Sequence, residues 1–156
     1  METFIGHIKT TKDALILFES CRLGELRRVK RRLCSRERSK IKSGSIFAFD
    51  ESESGMCRWT DGRTWSPSRV LGSFLTYREL DTKRRPRKDG KDSCSYKPNG
   101  LIKQSFSICT SNNQKMHLIS YYSKADIARG HLRTPSEDPA FAHITIPKGI
   151  YPELNP

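Results

Sequence analysis

The segment from residue 101 to residue 122 constrains the fold most, because it holds two alternating runs joined by a short polar stretch. Leu101 to Cys109 alternates apolar and polar residues with the period of a strand, and Met116 to Tyr122 does the same. The stretch from Thr110 to Gln114 between them is typical of a hairpin loop. The pattern predicts an antiparallel hairpin, and therefore a sheet against which the rest of the chain packs.

Shorter patterns elsewhere predict a mixture of strands and helices. Strands are expected at Phe4 to Ile8, at Ser45 to Asp50 pairing with Met56 to Thr60 across an acidic turn, and at Phe141 to Ile146. A helix is expected at Thr11 to Arg22, with Thr10 or Thr11 as its cap and Gly24 as its stop. Further helices are expected within Glu25 to Lys42, at Ser66 to Leu80 and at Ser123 to His131. The fold class is therefore α+β.

Length and apolar content define the domain organisation. A chain of 156 residues is long enough for one well-cored domain and gives no reason to expect two. The chain loses apolar residues from Asp81 to Gly100 and becomes charged there, which indicates a basic flexible linker. We therefore expect a single domain over residues 1–156, interrupted by the linker at 81–100.

The positive charge is concentrated in two windows. Residues 22 to 42 carry ten Lys/Arg against two Glu, and residues 78 to 91 carry seven against three acids, which together account for the net charge of +12. Clustered basic residues neutralise phosphates and release counterions, so a polyanion is the natural partner. An acidic membrane surface fits the charge but not the pattern, because no basic amphipathic stretch carries a wide apolar face.

Metal, disulfide and secretion signals are missing from the sequence. The five cysteines have long, unequal gaps without a Cys-x-x-Cys pair, and the four histidines complete no zinc spacing. We expect reduced thiols, with Cys21 and Cys109 as small core residues, and neither a metal site nor a cofactor. Met1 is not followed by a basic start and an apolar run, so no signal peptide is predicted.

The segment from Asp50 to Arg69 combines features that suit a cationic reading loop. It contains both tryptophans, Trp59 and Trp65, on either side of an Asp61-Gly62 turn. The indoles are expected to brace the loop from beneath, while Arg63 at its tip projects a planar fork of donors. The segment is equally compatible with an ordinary hairpin that has two core tryptophans and solvated arginines.

Several runs of the chain resemble the WOPR-domain family of fungal transcription regulators. The matching runs are Thr10 to Leu15, Ser43 to Phe47, Arg58 to Gly62, Trp65 to Arg69, Gly100 to Gln104 and His117 to Tyr122. The resemblance covers about residues 2 to 80 and 100 to 152. It implies that block one, at 2–80, and block two, at 101–152, form one intertwined domain on either side of the linker. The resemblance further implies that this domain binds double-stranded DNA in a sequence-specific manner, in the nucleus, and that it is not an enzyme.

A DNA-contacting surface is predicted around the loop. Arg63 is expected to enter the minor groove of an A·T-rich site, where a narrow groove concentrates negative potential. The start of a helix at Ser66-Pro67 is expected to add a phosphate site. The predicted DNA-binding residues are Arg58, Thr60, Asp61, Gly62, Arg63, Trp65, Ser66, Ser68, Arg69, Lys40, Lys42 and Ser43.

Two other functional classes remain as alternatives. An RNA or single-strand binder would need exposed sheet aromatics as stacking platforms, and the candidates are Phe47, Phe49, Phe106, Tyr121 and Tyr122. Alternating strands bury one aromatic face more often than they expose it. An enzyme is the weaker alternative, because the candidate bases His117, His131 and His143 have no nucleophile motif around them and the acidic cluster from Asp50 to Glu53 lacks the spacing of a metal loop.

The run from Lys83 to Lys88 allows three interpretations. It reads as a nuclear-import signal or as a flexible arm that contacts phosphates, and one linker can do both. It is also compatible with a solvated charge run that only keeps the linker extended.

Overall fold

The computed structural model describes residues 1–81, 85–86, 92–93 and 95–154, with backbone alone at 85–86 and 92–93. The strands are β1 (Phe4–Ile5), β2 (Ser45–Asp50), β3 (Arg69–Leu71), β4 (Phe74–Arg78), β5 (Arg85–Pro86), β6 (Asp92–Ser93), β7 (Ile102–Cys109) and β8 (Lys115–Tyr122). The helices are α1 (Thr11–Arg22), α2 (Ser35–Ser39), α3 (Glu51–Ser54) and α4 (Lys124–Arg129), followed by 3-10 turns at Pro135–Glu137 and Pro139–Phe141. The predicted α+β class is confirmed.

Helix α1 begins at a capping box. The Thr10 hydroxyl accepts a hydrogen bond from the Asp13 backbone N–H, and the Asp13 carboxylate accepts one from the Thr10 N–H at 3.0 Å. Apolar residues at helical spacing, among them Leu17 and Phe18, are buried beneath the helix. These local signals explain why the predicted bounds of α1 agree with the structure.

A six-stranded antiparallel sheet runs in the order β1-β2-β8-β7-β4-β3, and β5 pairs with β6 separately. The predicted β7–β8 hairpin is present, with Phe106 opposite Leu118. Strand β8 pairs with β2 on its other side, with Phe47 opposite Ile119. Strands from block one therefore flank strands from block two on both sides, so the two halves of the chain are intertwined.

The two faces of the sheet bury separate apolar clusters. Helix α1 covers one face, where Ile46, Ala48, Phe106 and Leu118 form part of the core. The opposite face, which we call the loop face, carries Phe47, Phe49, Ile119 and Tyr121, with Trp59 and Trp65 packed over it. The loop face is the one that positions the segment predicted to contact DNA.

The helix predicted at Ser66 to Leu80 is wrong, because this segment forms the β3–β4 hairpin. Leu71 lies opposite Phe74 across a two-residue turn in which Gly72 has a φ of +61°. Glycine at the first central position suits a type II′ turn, whose twist matches the flanking strands. The alternation from Phe74 onward then buries Phe74 and leaves Leu75 largely exposed. No helix start is therefore available at Ser66-Pro67 to bind phosphate.

The strand predicted at Met56 to Thr60 is also wrong. Both neighbouring positions of β2 are occupied, by β1 and by β8, so no edge remains for a third partner. The acidic turn is helix α3, capped by Asp50 and ended by Gly55 in the left-handed region. The chain after it crosses the loop face, where Met56 is buried and Trp59 packs on Phe49.

The remaining differences are shortened elements, one absent strand and a partly paired linker. The first strand is limited to Phe4–Ile5, and the basic window contains only the short α2. The strand predicted at Phe141 to Ile146 is wrong. A 3-10 turn that begins at Pro139 under an Asp138 cap ends at Phe141 and buries it against Phe4, and a short turn and irregular chain follow to residue 146. Part of the predicted linker is paired, because Tyr96 forms an isolated antiparallel β-bridge with Leu80 and the Lys97 N–H donates to the Glu79 carbonyl.

Candidate nucleic-acid interface

Asp61 is the centre of a buried hydrogen-bond network beneath the loop. Its carboxylate accepts hydrogen bonds from the Tyr121 hydroxyl at 2.6 Å and from the Trp65 indole N–H at 3.0 Å. It also accepts one from the Arg63 backbone N–H at 3.0 Å, and the Lys103 ammonium lies 3.5 Å away. Asp61 is 6% exposed. This predicted site residue therefore shapes the loop from within.

Electrostatics keep the Asp61 carboxylate ionised. Burial acts to raise its pKa, but hydrogen bonds from Trp65 and Tyr121 and the charge of Lys103 outweigh that effect and leave the pKa below its ordinary value. Burial raises the pKa of Tyr121, and the neighbouring Asp61 raises it further. Burial lowers the pKa of Lys103, an effect that Asp61 offsets in part. At neutral pH the network contains a carboxylate hydrogen-bonded to a neutral phenol.

Trp59 and Trp65 hold the base of the loop, as predicted. The Trp59 indole N–H donates to the Tyr121 hydroxyl at 2.7 Å, and its ring stacks on Phe49 with centroids 5.6 Å apart. The Lys103 ammonium lies 4.6 Å from the centre of the Trp65 ring. Both indoles thus have a satisfied N–H and an aromatic or cationic neighbour, so hydrogen bonds and ring contacts hold the base of the loop.

Arg63 lies against the protein instead of projecting freely from the loop tip. Its guanidinium donates to the Ile41 carbonyl at 2.8 Å and lies 3.4 Å from the Glu79 carboxylate, so 21% of the side chain is exposed. Glu79 has two other partners, the Lys97 ammonium at 3.3 Å and the Leu101 backbone N–H at 3.0 Å. The expected fork of free donors is therefore partly occupied, because a buried acid and a backbone carbonyl lie within its reach.

The loop tip rests on the basic window. Gly62 has a φ of +75°, and a Cβ built there would meet the Arg38 side chain at 3.7 Å. The Arg32 guanidinium donates to the Thr60 hydroxyl at 3.1 Å. Arg32 is exposed and Arg38 half-buried, so the cationic surface continues from the loop into residues 27–42.

The other predicted site residues fall into two groups. The first group is exposed and consists of Lys40, Lys42, Arg58, Thr60, Gly62, Ser68 and Arg69. Two serines are half-buried and already hydrogen-bonded within the protein. The Ser66 hydroxyl accepts from the Arg78 backbone N–H at 2.9 Å, and the Ser43 hydroxyl accepts from the Ser123 N–H at 2.9 Å. These two hydroxyls position backbone, whereas the exposed residues face solvent, with the Thr60 hydroxyl already accepting from Arg32.

Sequence reasoning missed three residues that belong to this surface. Lys103 lies beneath the loop, and Arg32 and Arg38 support its tip. Lys103 carries little signal in the sequence, because alternation places it on the same strand face as Ser105 and Ser107, a pattern typical of a solvent-facing side. The contacts of Arg32 and Arg38 carry no local signal, because they depend on how the basic window folds back under the loop.

The aromatics proposed as stacking platforms are core residues. Phe47, Phe49, Phe106 and Tyr121 are each at most 4% exposed. Tyr122 is half-buried and packs edge-on against His7, with ring centroids 4.8 Å apart. The sheet therefore presents no open aromatic platform built from these five residues.

The candidate catalytic bases lie on different parts of the structure. His117 on β8 lies 2.8 Å from Glu51 and 2.6 Å from the Ser107 hydroxyl. His131 pairs with Asp126 and His143 with Glu25. Among the described residues, no three His, Cys, Asp or Glu side chains are grouped to hold a metal ion. The helices of the described part of the chain do not combine the length and the apolar character that a membrane span requires.

Cys21 is buried as predicted, and its pKa is raised to about 11 by that burial. Cys109 is half-buried, whereas Cys34 and Cys57 are exposed, and these four thiols are free. The fifth cysteine, Cys94, lies outside the described residues.

Comparison with known proteins identifies the family. The profile of the Gti1/Pac2 family matches residues 3–95 and 87–123. The cAMP-independent regulatory protein pac2 of Schizosaccharomyces pombe is 47% identical in an alignment covering 100% of this chain and 84% of that protein. The global transcription regulator sge1 of Gibberella moniliformis is 36% identical over 87% of this chain, which spans only 57% of that regulator's length.

Solved structures agree with the family profile. The WOPR domain of Wor1 from Candida albicans, in complex with a 13bp dsDNA, superposes with a TM-score of 0.79 at 39% identity, covering 94% of this chain and 92% of that one. The complex of the same domain with a 17bp dsDNA gives a TM-score of 0.78 at 39% identity, covering 94% of each chain. The chain described here belongs to the Gti1/Pac2 family, the WOPR-domain family of fungal regulators.

Proposed function

We propose that this chain is the DNA-binding domain of a transcription regulator, and that the loop from Arg58 to Arg69 reads an A·T-rich minor groove with Arg63. The exposed basic residues around the loop contact the flanking phosphates. The observation that carries the proposal is the Asp61 network, which presents the turn at Gly62 and Arg63 on a hydrogen-bonded base surrounded by cations. The similarity to the Wor1 domain solved with double-stranded DNA supports the same partner.

The surroundings of the loop suit the sugar-phosphate backbone. Arg58 and Arg69 are exposed on either side of the turn, and Lys40 and Lys42 are exposed where the basic window ends. Phosphate contacts fix register and orientation, whereas an inserted guanidinium discriminates groove width and potential. The exposed cations therefore position the domain, and Arg63 supplies the sequence preference.

Entry of Arg63 into a groove requires it to leave the protein. The guanidinium would give up one neutral backbone carbonyl, that of Ile41, and a 3.4 Å contact with Glu79. Glu79 would not be left unpaired, because the Lys97 ammonium and the Leu101 N–H already contact it. Attraction between the guanidinium and the negative potential of a narrow minor groove then compensates for the contacts that Arg63 loses.

Binding to RNA or single strands is less well supported. Single-strand binders stack bases on exposed aromatic side chains. The five sheet aromatics considered for that role are buried or half-buried.

The proposed site of action is the nucleus, where a transcription regulator meets its DNA. The basic run from Lys83 to Lys88 would serve as an import signal, although most of it lies outside the described residues.

Competition binding tests the proposal. A labelled duplex selected from a random pool is challenged with unlabelled duplex, single-stranded DNA and RNA of equal length, at several salt concentrations. We expect the duplex to compete best and the logarithm of affinity to fall with the logarithm of salt by about 0.9 per phosphate neutralised. A flat salt dependence, or preferential competition by the single strands, would contradict duplex DNA as the partner.

A further inference from the structure

A second cationic feature lies beside the loop and has no role in the proposal above. It is a cleft of about 440 Å³ between the turn at 96–101 and helix α4. Four basic side chains line it: Arg78, Lys97, Lys124 and Arg129. Small-molecule sites are mostly apolar with few polar groups, so four cations in one cleft favour a polyanionic ligand.

The wall formed by Arg78 and Lys97 is held in place. The Arg78 guanidinium lies 3.7 Å from the centre of the Tyr96 ring, and the Lys97 ammonium lies 3.3 Å from Glu79. The turn after Lys97 is tight, because a Cβ on Gly100 would meet the Lys97 carbonyl at 2.9 Å. These contacts give both cations a partner within this wall of the cleft.

The opposite wall is supplied by α4. The Ser123 N–H at its start donates to the Ser43 hydroxyl at 2.9 Å, which ties the helix to the end of the basic window. Lys124 and Arg129 are exposed at its two ends. In the part of the chain that the structure describes, no carboxylate pairs with Arg78, Lys124 or Arg129. Their charge is therefore available to a ligand.

Acidic residues do not neutralise the cleft. Glu79 is the one acid among its lining residues, and it is buried against Arg63, Lys97 and the Leu101 N–H. The neighbouring linker is not suited to fill the cleft, because residues 82 to 91 carry six Lys/Arg against one Asp. Like charge favours a separate, negatively charged occupant.

The cleft is adjacent to the proposed reading loop. The Ser66 N–H donates to the Arg78 carbonyl, and the Leu80 N–H donates to the Thr64 carbonyl, both at 2.9 Å. The chain leaving the loop is thus paired with the segment that lines the cleft, at the strand spacing of about 4.8 Å. A duplex held at the loop extends far beyond that distance, because each base pair adds about 3.4 Å along the axis.

We propose that this cleft binds backbone phosphates of the duplex outside the base pairs read by the loop. The inference rests on the proposed function and adds a second contact region to it. Phosphate contacts carry no sequence information, so the cleft lengthens the footprint and strengthens binding to all sequences equally. The loop and the cleft therefore have separable effects on specificity and on salt dependence.

The test compares two labelled duplexes that share one selected core. The short duplex is trimmed to the smallest core whose binding requires Arg63, and the long duplex adds about ten base pairs on each side, one helical turn. The variant K124A/R129A removes two exposed cations of the cleft. The matched control, K115A/K148A, removes two exposed lysines at the other end of the β7–β8 hairpin. Lys115 lies seven residue steps of about 3.4 Å along β8 from Tyr122. Lys148 lies two residues before Ile150, whose carbonyl accepts a hydrogen bond from the Ser111 N–H in the β7–β8 turn.

We expect K124A/R129A to lower affinity for the long duplex about tenfold and to reduce the salt slope by about 1 to 2, as for one or two lost phosphates. The discrimination between selected and scrambled cores should be unchanged, and the short duplex should lose less affinity. Equal effects of the two double variants, or a parental salt slope for K124A/R129A, would overturn the cleft assignment while the loop proposal stands. Failure of the parent chain to bind either duplex would instead contradict the proposed function.

Discussion

The Tyr121 hydroxyl donates a 2.6 Å hydrogen bond to the Asp61 carboxylate, across 60 positions of sequence. Asp61 lies in the loop of block one and Tyr121 on strand β8 of block two. The same hydroxyl accepts a hydrogen bond from the Trp59 indole. The shape of the proposed reading loop therefore depends on a strand that the linker separates from it, so neither block is expected to form the interface alone.

Trp65→Ala should damage folding and DNA binding together. The substitution removes the indole donor to Asp61 and the ring beneath Lys103, and large aromatic truncations cost about 3 kcal/mol or more in the free energy of unfolding. Chemical denaturation and duplex titration measure the two losses. Val70→Ala is the control, because that side chain is 76% exposed and its truncation should leave the midpoint of unfolding unchanged. Parental stability of the Trp65 variant would contradict the bracing role.

Asp61→Asn should lower the free energy of unfolding at neutral pH, and the difference from the parent should shrink in acid. The folded pKa of Asp61 lies below the ordinary 3.8, so the unfolded chain takes up the proton first as pH falls. The stabilisation is complete above about pH 5 and is lost as pH falls through 3.8 towards the folded pKa. We expect a difference of about 1 to 3 kcal/mol between parent and variant at pH 7.

Urea denaturation of both proteins at pH 7 and at pH 3 checks the sign. Other carboxylates titrate equally in parent and variant. A change with pH in the difference between their free energies of unfolding therefore reports on Asp61. A difference that stays constant between the two pH values would show that the ionised form is not the stabilising one.

Replacing residues 82–94 with a Gly/Ser segment of equal length should leave cooperative unfolding intact. Extending the replacement to residue 98 removes Tyr96 and Lys97, which contact Arg78 and Glu79. The longer replacement should therefore have the lower melting temperature, and differential scanning calorimetry of the pair measures the difference. Loss of cooperative unfolding in the 82–94 replacement would show that the linker is part of the core.

Local signals predicted the elements that depend on near neighbours. Helix α1 follows from a capping box within four residues, and the β7–β8 hairpin follows from alternation around a polar turn. The bracing by Trp59 and Trp65 was predictable, because both flank the Asp61-Gly62 turn and an indole combines a large apolar ring with an N–H that finds a partner when it is buried.

The remaining features depend on contacts that sequence spacing does not reveal. Val70, Leu71, Phe74 and Leu75 suit a helix face as well as a hairpin, and only the positive φ of Gly72 together with the free edge of β7 decides for strands. Arg63 was expected to be free, but its partners Ile41 and Glu79 are 22 and 16 positions away. The cleft beside α4 likewise joins residues of both blocks.

The role of Arg63 is tested most sharply by the affinity of Arg63→Ala for the selected duplex and for a scrambled duplex at one salt concentration. We expect a loss of about 1 to 3 kcal/mol in binding free energy on the selected duplex, little loss on the scrambled one, and a small change in melting temperature. Lys88→Ala in the linker is the control and should weaken both duplexes slightly and equally. Selected-site binding by Arg63→Ala as tight as that of the parent would contradict the loop assignment and move the search for sequence reading to the basic window from Arg27 to Lys42.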